Sequence, residues 1–165
     1  MSIDLVLEPV RITRITPLLP KISAVLADLL RVTSLPPLVM ERLEEGERLP
    51  VVDDQVGFRG APLLLLSVCG EPETVALVSG SDFLAVTISG SRSNIQYALS
   101  AATAIALARE MGAGVWDDRR FFGDEVHTSP DALLRGLKVA GQQDDYLEAA
   151  ERIKWGPGGQ PWPGQ

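Results

Sequence analysis

Residues 82–122, DFLAVTISGSRSNIQYALSAATAIALAREMGAGVWDDRRFF, decide the fold class of this chain. They read as strand, helix, strand. Over 83–89, Phe83, Ala85 and Thr87 alternate with Leu84, Val86 and Ile88, so the strand has little polar face. Over 93–111, Ile95, Leu99, Ala102 and Ala106 recur at helical spacing. Ala98, Ala101, Ile105 and Ala108 widen that stripe almost all the way round, which predicts a mostly buried helix. Ser91 or Ser93 is placed to cap it, and Gly112 stands just past its end. Its small side chains predict a closer approach to the sheet than a leucine-rich helix would allow. Residues 114–116 return as a short strand that Asp117 and Asp118 end.

Upstream, runs at 63–69, 74–78 and 83–89 are separated by Gly70-Glu71-Pro72-Glu73 and Ser79-Gly80-Ser81-Asp82. Loops this short predict an antiparallel meander. The run of four leucines from Leu63 to Leu66 is apolar on both faces and predicts a central strand. A strand is expected at 3–7, limited by Pro9, and a helix at 20–32, where Ile22, Val25, Leu26 and Leu29 share one face. Leu35-Pro36-Pro37 breaks the chain, after which 38–45 is expected as a short helix closed by Gly46. Val51 opens a short extended piece over 51–59.

Downstream, Ser129-Pro130-Asp131 predicts a capped helix through 140, weakened at Gly136 by about 1 kcal/mol relative to alanine. A further short helix is expected at 144–153, and Cys69 is expected as a small core residue at the end of its strand. Residues 1–155 are thus expected to form a single α+β domain. Its sheet should be mainly antiparallel, mixed if the passage through Gly112 returns parallel. Residues 156–165, rich in Pro and Gly, are expected to be a loose tail.

With 165 residues, 45% of them hydrophobic, the chain can bury one sizeable core. A formal net charge of −7 argues against a surface that tracks phosphates, so no nucleic-acid partner is expected. The single cysteine excludes an intrachain disulfide and any zinc site built on several thiolates, and it fits a reducing compartment. Asp4 and Glu8 stand where a secretory signal needs basic residues, and the apolar stretches 61–69 and 97–108 fall short of the roughly 20 residues that span a bilayer. A soluble, cytoplasmic protein with no membrane partner is the expectation. Oligomeric state is not legible.

Acidic residues are uneven. Glu41, Glu44, Glu45, Glu47, Asp53 and Asp54 stand against Arg42 and Arg48, a pattern that suits either a solvated face or steering toward a basic partner. Asp144, Asp145, Glu148 and Glu151 form a second cluster.

The loop carrying Ser91, Arg92, Ser93 and Asn94 has the composition of an anion site at a helix start, yet it matches neither the Walker pattern nor G-x-G-x-x-G. Capping alone accounts for its serines. Asp117 and Asp118 invite a metal or acid/base reading, but neighbours on a strand point to opposite faces and cannot easily share one ion. His127 is the single histidine, and no G-x-S-x-G elbow is present. No catalytic residue, cofactor or metal is therefore expected. Trp116, Phe121 and Phe122 either anchor an interface or serve the core.

The segment Ser91-Arg92-Ser93-Asn94, the helix over 95–111, and Gly112-Ala113-Gly114-Val115-Trp116-Asp117-Asp118 together resemble small bacterial immunity proteins of polymorphic or contact-dependent toxin systems. The resemblance implies an acidic, non-catalytic α+β domain that neutralises a basic toxin or effector by stoichiometric docking. It implies contacts on Glu44, Glu45, Glu47, Asp53 and Asp54, or around Trp116, Asp117 and Asp118. Two other readings stay open: a small enzyme or ligand-binding domain using the 90–94 loop with Asp117 or Asp118, and a structural or assembly subunit.

Overall fold

The computed structural model describes residues 3–8, 14–51, 63–80, 82–88, 93–123 and 125–155. Along them run β1 (Ile3–Glu8), α1 (Leu19–Leu30), β2 (Leu38–Glu44), β3 (Glu47–Pro50), β4 (Leu63–Val68), β5 (Val75–Ser79), β6 (Leu84–Ile88), α2 (Asn94–Met111), β7 (Gly114–Trp116), β8 (His127–Thr128), α3 (Pro130–Leu137) and α4 (Tyr146–Glu151). This is an α+β fold in which helices gather on one sheet.

Helix α2 is the centre. Ser93 caps it in extended conformation, its side chain accepting from the Gln96 N–H at 3.2 Å. Gly112, at φ 64°, ends it in the left-handed region, where the Ala113 N–H donates to the Ala108 carbonyl. Of its described side chains only Arg109 and Glu110 reach solvent. The alanines let the sheet approach on one side while α1, α3 and α4 pack around the others. Arg109 pairs with Asp131 of α3, Lys21 of α1 with Glu110, and Lys138 with Asp28 of α1. These exposed pairs fix orientation and contribute little to stability.

The eight strands lie in the order β3-β2-β4-β5-β6-β1-β7-β8. Pairings place Leu64 opposite Leu77, Leu77 opposite Val86, and Val86 opposite Leu5. Directly opposed residues share a face, and these four are at most 2% exposed. They form the floor on which α2 sits, each fully buried side chain contributing about 1.5–3 kcal/mol.

The meander β4–β5–β6 and the central position of β4 match the sequence reading. The expected mainly antiparallel sheet is borne out, and among the described residues every pairing is antiparallel: β6 and β7 do run the same way around α2, but β1 inserts between them and bonds antiparallel to both. One expectation is corrected. Residues 38–44 are a strand, with no helix. Met40 packs into the core opposite Leu66, and pairing with β4 outweighs the helix propensity of Met, Glu, Arg and Leu. Gly46 still terminates the element, as half of a two-residue hairpin turn: Glu45 at φ 50° and Gly46 at φ 88° both have the positive φ that joins tightly twisted strands.

Helix α3 stops at Leu137, short of the expected 140, because the chain turns extended at Lys138 and the Val139 N–H donates to the Leu29 carbonyl of α1. The expected tail at 156–165 and the extended piece over 52–59 lie outside the described residues.

Candidate functional site

The end of β7 alternates strictly. Val115 is buried, Trp116 is 39% exposed, Asp117 is 3% exposed and Asp118 is exposed again. Strand periodicity therefore separates the two carboxylates, as their adjacency predicts, and of the two only Asp118 faces solvent. Asp117 turns inward: its Oδ2 accepts from the Phe122 N–H at 2.6 Å, while its own backbone N–H donates to the Val126 carbonyl and its carbonyl accepts from Arg120. Burial raises the Asp117 pKa, and the backbone N–H groups of Phe122, Phe121 and Arg119 oppose that rise. Asp117 as a partner contact is thus a correction: it is a buried turn-former.

What that turn holds is an aromatic cluster. Phe121 and Phe122 are buried beside Tyr97 and Trp155, with Tyr97 and Phe121 ring centroids 4.6 Å apart and Phe122 edge-on to Trp155 at 5.5 Å. The two phenylalanines therefore serve the core and Trp116 is the exposed one. Asn94, the first helical residue of α2, joins this cluster. Its Oδ1 accepts from the Trp155 indole N–H at 3.1 Å, and its Nδ2 donates to Glu151 of α4 at 2.8 Å. Ser93 thus serves as the helix cap and Asn94 as a buried link between α2, Trp155 and α4. Ser91 and Arg92 lie outside the described residues. Nothing in the sequence linked Asn94 to Trp155, since 61 residues separate them.

The other predicted contact set sits on the β2–β3 hairpin. Glu44, Glu45 and Glu47 surround its tip, and with Leu43 and Leu49 they line a shallow concavity of about 630 Å³. Arg42 pairs with Glu44 at 3.4 Å and Arg48 with Glu41 at 3.7 Å. Among the described residues Glu45 and Glu47 have no ion-pair partner. Asp53 and Asp54, assigned to the same face by sequence, lie outside the described residues.

Cys69 is exposed in the turn after β4, which corrects its expected place in the core. His127 stands on β8 opposite Trp116, their rings 4.4 Å apart. Among the described residues, no three of His, Cys, Asp and Glu gather to hold a metal, and no helix is long and apolar enough to cross a membrane. Comparison with protein-family models, curated proteins and solved structures gives no match to this chain.

Proposed function

We propose that this protein is a non-catalytic protein-binding module of immunity type, which neutralises a basic toxin or effector by stoichiometric docking. The observation that carries the reading is the β2–β3 hairpin. It raises Glu44, Glu45 and Glu47 around a concavity whose lining also includes Leu43 and Leu49. Charged groups set beside apolar side chains are common in protein interfaces, where the charges govern encounter rate and the apolar groups supply contact area. Supporting it, Asp117, Ser93 and Asn94, three of the residues on which the small-enzyme reading can draw, serve the turn, the helix cap and the Trp155 link.

The test is affinity capture from the native host with the full chain and with Glu44→Lys/Glu45→Lys/Glu47→Lys, followed by mass measurement of the isolated complex. A basic protein held at fixed stoichiometry, lost in the triple variant and toxic when expressed without this chain, is the expected outcome. Retention of the same partners by the triple variant would remove the hairpin from the docking face. Turnover of a small molecule, abolished by Arg92→Ala in a folded protein, would replace the reading altogether.

A further inference from the structure

Asp117 is a titratable group sealed inside the fold with half of its carboxyl engaged. It is 3% exposed. Its Oδ2 accepts from the Phe122 N–H at 2.6 Å, while Oδ1 is buried and has no hydrogen-bond partner. An ionised carboxylate offers about four acceptor sites, and leaving half of them without donors in the interior carries a desolvation penalty that water would remove. A neutral carboxyl fits the same geometry at lower cost, with one oxygen still accepting from Phe122 and the other carrying the proton.

Among the described residues no cation offsets the charge. Asp118, next in sequence, adds a like charge. On β1, Val6 stands opposite Trp116, so Leu5 and Leu7 share the Asp117 face and Asp4 and Glu8 take the other. On β8, Val126 gives Asp117 a backbone carbonyl, and His127 stacks with Trp116 on the far face. The charged residues of α2, Arg109 and Glu110, lie in its last turn and pair with Asp131 and Lys21. Glu151 of α4 is bound by Asn94. Arg119 and Arg120 are exposed, and neither forms an ion pair with Asp117.

The carboxyl closes a strained turn. The Arg120 N–H donates to the Asp117 carbonyl at 3.0 Å, and Arg120 has φ 53°, a conformation that only its surroundings sustain in a non-glycine residue. Asp118, Arg119 and Arg120 are exposed, whereas Phe121 and Phe122 are anchored in the aromatic cluster. The exposed arc can therefore open at the Asp117–Phe122 bond while the sheet and helices stay folded. Opening admits water to the carboxylate, so ionisation favours the open arc and protonation the closed one. The backbone N–H groups of Phe122, Phe121 and Arg119 pull the other way, and burial outweighs them. We propose that the turn over 117–122 is a proton-operated latch, closed most firmly with Asp117 neutral and loosened when Asp117 ionises. This latch stands whether or not the hairpin docks a partner.

The test is backbone amide exchange of the full chain followed by NMR from acid to neutral pH, each rate divided by its intrinsic value, beside a carbon-13 titration of the Asp117 carboxyl. The Phe122 amide should exchange at least tenfold faster than that of Leu66 in central β4. Its protection should fall severalfold as the carboxyl ionises, with the same midpoint. Asp117→Asn should remove that dependence, and circular dichroism shows whether the variant is folded. If it is not, Asp118→Asn carries the test: with the neighbouring charge gone, both midpoints should move together to lower pH. Protection of Phe122 equal to that of Leu66 at every pH overturns the latch, because the turn would then open only on global unfolding. Protection that does not follow the carboxyl titration, or a dependence that survives in Asp117→Asn, overturns it as well.

Discussion

Replacing Asp117 separates two roles of one buried carboxylate. Its Oδ2 satisfies the Phe122 N–H at 2.6 Å, while burial penalises its charge and raises its pKa above 3.8. Asp117→Ala strands the Phe122 N–H in the interior, a loss of about 1–3 kcal/mol. At about 2–4 °C per kcal/mol for a chain of this size, the Tm should fall by roughly 2–12 °C. Asp117→Asn keeps an oxygen for that N–H and removes the buried charge. It should match or exceed the wild-type stability at pH 7.

The sign with pH separates the two roles further. The folded pKa lies above the unfolded one, so the native state binds the proton more readily. The stabilisation from that protonation is complete below 3.8 and is lost as pH rises through the folded value. The stability of Asp117→Asn relative to wild type should therefore rise with pH from the acid side and level off once the wild-type carboxyl is fully ionised. Urea unfolding of the three proteins at a series of pH values measures this. Equal destabilisation by Asn and Ala at pH 7, or an Asn-minus-wild-type difference that does not vary with pH, would refute the buried-charge account.

Three further outcomes are expected. Trp155→Phe keeps a ring in the aromatic cluster but leaves the Asn94 Oδ1 without its indole donor, so chemical denaturation should show a loss of about 1–3 kcal/mol, against about 3–5 for Trp155→Ala. Ala104→Leu, at a fully buried position of α2, should cost about 1–3 kcal/mol by overpacking, whereas a leucine at exposed Glu110 should not; thermal unfolding distinguishes them. The Tyr146 hydroxyl donates to Glu71 at 2.6 Å and its pKa is pushed up to about 12, so alkaline difference spectra against Tyr146→Phe should show the deleted ionisation well above 10.

How much of this was legible in the sequence depended on whether the deciding contacts were local. The α2 caps, the β4–β5–β6 meander and the opposite exposure of Asp117 and Asp118 follow from spacing within a few residues, and the structure bears them out. The insertion of β1 between β6 and β7 was not legible, because it joins residues about 80 and about 110 positions apart by backbone hydrogen bonds that carry no side-chain signature. The β2–β3 hairpin was hidden by its composition: Met40, Glu41, Arg42 and Leu43 favour a helix in isolation, and Glu45-Gly46 lacks the Asn-Gly that marks such turns. The roles of Trp116 and the Phe121–Phe122 pair were left open because which aromatic turns outward depends on where Asp117 anchors the loop. Of the candidate site, Glu44, Glu45, Glu47, Trp116 and Asp118 lie on the surface as contacts require.

Buried Asp117 and exposed Trp116 are consecutive residues, and that adjacency joins core to surface. The strand that turns Trp116 out must turn Asp117 in, and Asp117 in turn holds the loop whose Phe121 and Phe122 pack on Trp155. Arg120 within that loop has φ 53°, a left-handed conformation that costs a non-glycine residue energy and persists because both of its flanks are tied down. Trp116 is thus presented from a segment fixed on one side by pairing to β1 and on the other by a buried cluster.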